Sequence, residues 1–189
     1  MELWELVARE SIRDCIARYN ANGDRGRIDD MVGVFAPDAV MESGGRSFVG
    51  RDAIHAFFSG VADGTRPPTA AAAPTTPTED WIARGKQPFI RHFTGTTLID
   101  VISETEARAR SYYVVLTVHG VDHWGRYFDE YGMVDGRWLI TRRTEKTDAV
   151  YEGGWGAAAA GPRAADILTR ALTFDDSYDD SLDDQEHGR

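Results

Sequence analysis

Apolar side chains recur at three- and four-residue spacing from the start of the chain: Leu3, Leu6, Val7, Ile12, Cys15, Ile16 and Tyr19. That period predicts an amphipathic first helix whose apolar stripe includes Tyr19. Asn22-Gly23 supplies its stop, since glycine accepts the left-handed backbone that ends helices. A second, short helix is expected over residues 28–34, with Met31, Val34 and Phe35 on its apolar side and Pro37-Asp38 breaking it. Two short strands, 39–42 and 46–49, flank a Gly44-Gly45 turn, and a third helix opens over 52–58. From residue 89 the period shortens to two. Segments 89–102, 107–119, 126–134 and 138–146 are rich in β-branched and aromatic residues, and Asp135-Gly136 between the last two is a strong hairpin signal. Connections this short make neighbouring strands antiparallel. Helices followed by such a meander make an α+β fold. A curved antiparallel sheet wrapped round the N-terminal helix forms a conical cavity with one open mouth, a natural place for a ligand.

Composition divides the chain further. Residues 59–88 hold five of the seven prolines and an Ala/Thr/Pro run, so neither a helix nor a central strand is expected there. A loop of that length inside a compact domain suits a lid over the cavity or a disordered insert. The main domain is thus expected over 1–149, followed by an extension over 150–174: a Gly/Ala joint, then a short helix from about residue 162. Residues 175–189 carry seven acidic side chains against one arginine and are expected to be disordered. The formal charge is −10 and no basic stripe exists, which argues against nucleic-acid binding. No apolar run approaches the ~20 residues of a bilayer span, and the first residues do not resemble a signal peptide. A single cysteine, Cys15, excludes an internal disulfide and a multi-thiolate metal site, and fits a cytoplasmic location.

Candidate chemistry gathers at few positions. Tyr19 lies near the end of the first helix and Asp24 just past its stop, so a chain reversal could turn both toward one cavity; Asp24 could equally N-cap the second helix. His92 shares a strand face with Thr94, Thr96 and Leu98, either as a satisfied core residue or as an acid–base group. An Asp that orients a His, whose reference pKa is ~6.5, makes a pair suited to proton transfer near neutrality. Ser111, Tyr113, Val115, Thr117 and His119 form a more polar strand face fit for a pocket wall. His119, Asp122 and His123 could ligate a metal, but as turn residues they are expected to be solvated, and no metal is assigned. Either Arg142 or Arg143 could pair with an internal carboxylate. No Gly-rich phosphate loop, serine nucleophile elbow or paired thiols are present.

Arg18-Tyr19, Asp24 and Phe35-Ala36-Pro37-Asp38-Ala39-Val40, then Phe48-Val49-Gly50-Arg51-Asp52-Ala53-Ile54, Arg91-His92-Phe93, residues 125–131 and Asp135-Gly136-Arg137-Trp138 follow one another in a telling order. Together they resemble the SnoaL-like branch of the nuclear transport factor 2-like superfamily, over roughly residues 5–147. The resemblance implies the cystatin-like cone, and it places Tyr19, Asp24 and His92 where dehydratases of the superfamily have catalytic groups. It departs at the second acid–base position of those enzymes, occupied here by Val115 or Thr117, with His119 on the same face as a possible replacement; Gly23 stands where one of them has a tyrosine. What it implies is a cofactor-independent lyase or isomerase of dehydratase, isomerase or cyclase type. The substrate would be a hydrophobic cyclic small molecule of secondary metabolism, polyketide- or steroid-like. Expected substrate contacts are Tyr113, Val115, Thr117, His119, Trp124 and Phe57, with a homodimer or homotrimer as the assembly. The rival expectation is a non-catalytic binding or assembly module, such as a ring-hydroxylating dioxygenase β-like subunit. A dry cone with Asp24 and His92 both facing in favours the enzyme; a filled cone, or His92 facing out, favours the module.

Overall fold

The computed structural model describes residues 1–62, 90–117, 120–151, 154–160 and 167. The expected lid or insert over 63–88, the acidic tail and His119 lie outside the described residues. The elements run α1 (Leu3–Gly23), α2 (Ile28–Val32), β1 (Phe35–Ser43), β2 (Arg46–Val49), α3 (Arg51–Ala62), β3 (Ile90–Val101), β4 (Glu106–Thr117), β5 (Gly120–Val134), β6 (Arg137–Val150) and α4 (Trp155–Ala160). Six strands form one open sheet in the order β2-β1-β6-β5-β4-β3. The helices-then-meander pattern is therefore the architecture, with one departure: β1 runs parallel to β6, so the sheet is mixed. Turn length dictates the direction of β3 to β6 and of the β1–β2 hairpin, but β1 reaches β6 through the whole intervening chain and nothing local fixes its sense.

Both tight hairpins are built as their residues require. Gly44 and Gly45, and later Asp135 and Gly136, adopt positive φ at the two central positions, the primed turn that matches strand twist. In β1 the register against β6 shifts between Phe35 and Val40. Pro37, which has no N–H to give, sits in that irregularity, and Arg51 Nε donates to the Phe35 carbonyl at 3.1 Å. Gly23 is not the left-handed stop of α1; Gly26 takes that conformation (φ 67°). Gly23 serves close packing instead, because a Cβ there would meet Met31 Sδ at 2.9 Å. The third helix runs through Ala62, four residues into the segment expected to be a loop. Phe57 and Phe58 anchor it against Phe48 and Tyr19, and its first proline comes only at Pro67.

α1 packs on one face of the sheet, touching β3 at the edge and β6 near the middle, as a curved sheet allows. Ala8, Ile12, Cys15, Ile16 and Tyr19 are buried there with Phe35, Ile99, Tyr127, Tyr131 and Ile140, whereas Leu3, Leu6 and Val7 are exposed. At the β3 edge Arg9 donates to the free carbonyl of Ile99, covering part of the unpaired strand. No helix among the described residues is long and apolar enough to cross a membrane.

The expected Gly/Ala joint begins as a helix, α4, whose Ala run favours it. Six residues cannot hold a helix alone. Asp122 holds it: its carboxylate accepts the N–H of Trp155 and of Gly156, each at 2.7 Å, and also pairs with His123 Nδ1 at 2.7 Å. Asp122 and His123 are thus buried strand residues, not solvated turn residues. Burial pushes the Asp122 carboxyl up, but His123 and the Gly156 and Trp155 amides outweigh it and hold the group below its ordinary range. The stabilisation is complete above the ordinary carboxyl value of ~3.9 and is lost only as pH falls through the lower folded value. Asp122→Ala should cost about 1–3 kcal/mol and release α4, read as lost amide-exchange protection at Trp155 and Gly156. Undiminished protection would refute this role.

Candidate active site

Asp24 follows α1 directly and caps its end, with its own N–H bonded to the Asn20 carbonyl at 2.9 Å. It does not N-cap α2, whose cap position is Arg27 with no side-chain bond. The carboxylate goes to β3 instead. Oδ1 lies 2.7 Å from His92 Nδ1, and the two oxygens accept the His92 backbone N–H at 3.2 and 3.1 Å. That N–H belongs to the unpaired side of an edge strand, so Asp24 both satisfies the backbone and orients the ring. The side chains are 10% and 22% exposed, enclosed but reachable. With Nδ1–H held by the carboxylate, Nε2 is the nitrogen left for chemistry.

The pair opens on a pocket of about 490 Å³ between the C-terminal half of α1 and β3. Ile16 and Asn20 from the helix and Phe93, Thr94 and Thr97 from the strand help line it. Asn20 donates through Nδ2 to the Thr94 hydroxyl, tying the two walls together. The strand face differs from simple alternation, because the β3–β4 register shifts between Thr94 and Thr97. Thr97 therefore joins His92 and Thr94 at the pocket, while Leu98 turns to the opposite face, 57% exposed.

The interior of the cone is packed with side chains. Tyr19 is buried against Phe35, Phe58 and Tyr127, with ring centroids at 5.8, 6.1 and 6.2 Å, and does not line the pocket. Burial pushes its hydroxyl up to about 12, although the Arg143 guanidinium, 4.1 Å above the ring, pulls the other way. Tyr113 stacks on Tyr127 at 4.4 Å and donates to Glu145 at 3.2 Å. Val115, in register with His92 and His123, is fully buried. Arg143, not Arg142, is the internal arginine: it grips Asp129 through Nε and Nη2 at 2.7 and 2.6 Å, while Arg142 bonds Glu42 near the surface.

Of the expected site residues, then, the fold brings Asp24 and His92 into contact, and keeps Tyr19, Tyr113 and Val115 in the adjoining core. Thr117, paired with Ile90 and Gly120, stands further along the Val115 face. Trp124 pairs with Val114 on the opposite face of the sheet, and Phe57 packs on Phe48 at 4.3 Å and on Phe58 at 4.9 Å, against the main core and away from the pocket lining. Asn20 and Thr97 went unassigned by the sequence, and Asp122 and His123 were expected to be solvated turn residues. Asn20 lies one helical turn before Asp24, the only signal that could have raised it. No group of three or more His, Cys, Asp or Glu among the described residues is placed to hold a metal ion.

Burial also holds the hydroxyls of Tyr113, Tyr127 and Tyr131 well above their ordinary value. A raised phenol favours the folded state while neutral, so stability should be full below pH ~10 and fall as pH rises through the folded values. Ultraviolet titration should show these tyrosines and Tyr19 ionising together with alkaline unfolding; ionisation near pH 10 in a folded chain would count against the packed core.

Residues 4–144 match the family model described as SnoaL-like domain. No curated protein matches the chain by sequence. Among solved structures it is similar to a candidate scytalone dehydratase of Novosphingobium aromaticivorans, with 23% identity, 78% of this chain and 88% of that one covered, and a TM-score of 0.59. An NTF2-like protein with a cystatin-like fold from the same organism shares 24% identity over 82% and 89% of the two chains, TM-score 0.56. The β subunit of a candidate aromatic-ring-hydroxylating dioxygenase, again from that organism, shares 18% identity over 78% and 93%, TM-score 0.57. At these identities the likeness is one of fold, the cystatin-like, NTF2-like α+β fold.

Proposed function

The chain belongs to the SnoaL-like domain family, and on that footing we propose that it is a cofactor-independent acid–base enzyme, a lyase or isomerase acting on a hydrophobic cyclic ketone or hydroxyketone. The observation that carries this reading is the 2.7 Å contact of Asp24 with His92 at the wall of a pocket large enough for such a molecule. His92 Nε2 takes a proton from the carbon next to the carbonyl, and Asp24 holds Nδ1–H and supports the imidazolium that forms. The hydroxyl of Thr94, which lines the same pocket and accepts from Asn20, donates its own proton to the developing enolate oxygen. Tyr19 would have served as that donor had it reached the pocket; here it shapes the core behind. Returning the proton to a departing hydroxyl gives dehydration, and to another carbon gives isomerisation. Attack of the enolate on a second carbonyl gives cyclisation.

One observation favours a second reading, a non-catalytic module of the dioxygenase β-subunit kind. The cone interior is filled by Tyr19, Tyr113, Val115 and Tyr127, and Asp24 already has a structural task at the strand edge. The two readings separate on one step that every proposed reaction shares, removal of a proton next to a carbonyl. In heavy water the enzyme should place deuterium on that carbon of at least one member of a panel of cyclic ketones, faster than buffer does. A module should bind members of the panel, seen as shifts of the His92 ring signals, and exchange none.

A further inference from the structure

The buried stripe of α1, which runs through Ile12, Ile16 and Tyr19, calls for an apolar side chain at position 20. An amide stands there instead, 8% exposed, and its Oδ1 has no partner among the described residues. A buried acceptor left unmatched costs stability, and side chains that break a local rule in this way are expected at functional sites. The other half of the amide has a partner: Nδ2 donates to the Thr94 hydroxyl. Among the described residues two hydroxyls line the pocket, those of Thr94 and Thr97. Thr97 turns its proton toward the Gly95 carbonyl at 3.1 Å and the Ser111 hydroxyl at 3.3 Å, both in the sheet. Thr94 is left as the hydroxyl whose own proton meets no acceptor among the described residues. Asn20 keeps it so, because an oxygen that accepts the amide N–H points its proton elsewhere. The reverse arrangement, Thr94 donating to Oδ1, would spend that proton inside the wall.

Resting on the acid–base reading above, we propose that Asn20 is a positioning residue: acting through Thr94, it aims the hydroxyl proton that meets the enolate oxygen. His92 and Thr94 stand two positions apart on β3, about 6–7 Å along the strand. That span suits a base on one side of the reacting carbon and a donor on the carbonyl oxygen beside it. Donation from Asn20 also polarises the hydroxyl, which makes it a stronger donor as negative charge develops. The role requires a donor at position 20; bulk alone does not supply it.

The test is a double-mutant cycle read by binding, with no turnover needed. The His92 ring signals of the full chain are followed by NMR during titration with two ligands, at a pH where nitrophenol is ionised. One is 4-nitrophenolate, whose oxygen stands in for the enolate; the other is 4-nitrotoluene, of similar shape but with no acceptor at that place. The wild-type chain should prefer the phenolate about tenfold. Thr94→Val and Asn20→Leu should each remove most of that preference, with the 4-nitrotoluene affinity held within about twofold. In the Thr94→Val background, Asn20→Leu should change nothing further. Asn20→Leu also removes the unmatched acceptor, so the melting temperature should hold; Asn20→Ala repeats the test if the larger side chain does not fit. No phenolate preference in the wild type, or a preference that survives substitution of Asn20, overturns the proposal. So does equal weakening of both ligands, the mark of a packing role, or a further loss on top of Thr94→Val. The acid–base reading fails separately, in the deuterium exchange: a chain that shows the cycle without exchanging any ketone keeps the aimed hydroxyl and loses the chemistry.

Discussion

His92→Ala should reduce turnover by at least ~10²-fold, the lower end of what general acid–base catalysis supplies, with kcat carrying the loss. The ring touches the pocket from an edge strand, so its removal deletes no packed core atoms, and Asp24 keeps the backbone N–H it already accepts. The melting temperature should therefore move little. Asp24→Asn is the sharper companion. The amide oxygen can still accept that N–H, so the fold survives, but the charge that supports the imidazolium is gone. An amide NH₂ facing Nδ1 would also select the tautomer with its proton on Nε2, which cannot act as a base. A comparable fall, ~10²–10⁴-fold, is expected. Wild-type turnover in either variant, with stability retained, removes the pair from the chemistry.

Asp129→Ala should be the most damaging single change to stability. Arg143 is buried to 1% exposure, clamped by both Asp129 oxygens and sandwiched between the rings of Tyr19 and Tyr127 at 4.1 and 4.3 Å. Tyr131 also donates to Asp129 at 3.0 Å. Removing the carboxylate strands a cation and a hydroxyl in the core, a loss of about 3–5 kcal/mol. For a chain of this size that is a fall of about 6–20 °C in melting temperature. Replacing both partners with apolar residues, Asp129→Leu with Arg143→Met, should recover much of the loss, because no uncompensated charge remains. A single substitution costing less than about 1 kcal/mol in urea denaturation would show that the ion pair is more hydrated than its geometry implies.

The elements that sequence periodicity placed well are those whose partners are local. The hairpins at Gly44-Gly45 and Asp135-Gly136 follow from turn chemistry, and the alternation Ser111, Tyr113, Val115 survives into a buried strand face. The parallel seam of β1 and β6 and the register shift that substitutes Thr97 for Thr96 are set by pairing across the sheet, which no single segment encodes. The site was legible in the same uneven way. Asp24 and His92 stood out by residue type and by their positions in a family pattern, and the fold joins them across a sequence separation of 68. Tyr19 was misplaced because a helical stripe gives a direction but not what fills the space ahead of it: Phe35, Phe58 and Tyr127 close over the ring. Asp122 read as a solvated turn residue because its ligands, the first amides of α4, lie more than thirty residues downstream.

The central claim, that the His92 ring itself moves the proton, is tested most directly by chemical rescue in the deuterium-exchange assay. In the His92→Ala protein, exchange into the ketone should fall to the buffer rate and then climb in proportion to added imidazole, which leaves the wild-type rate unchanged. Exchange at the full wild-type rate in that variant, with no imidazole present, would contradict the account.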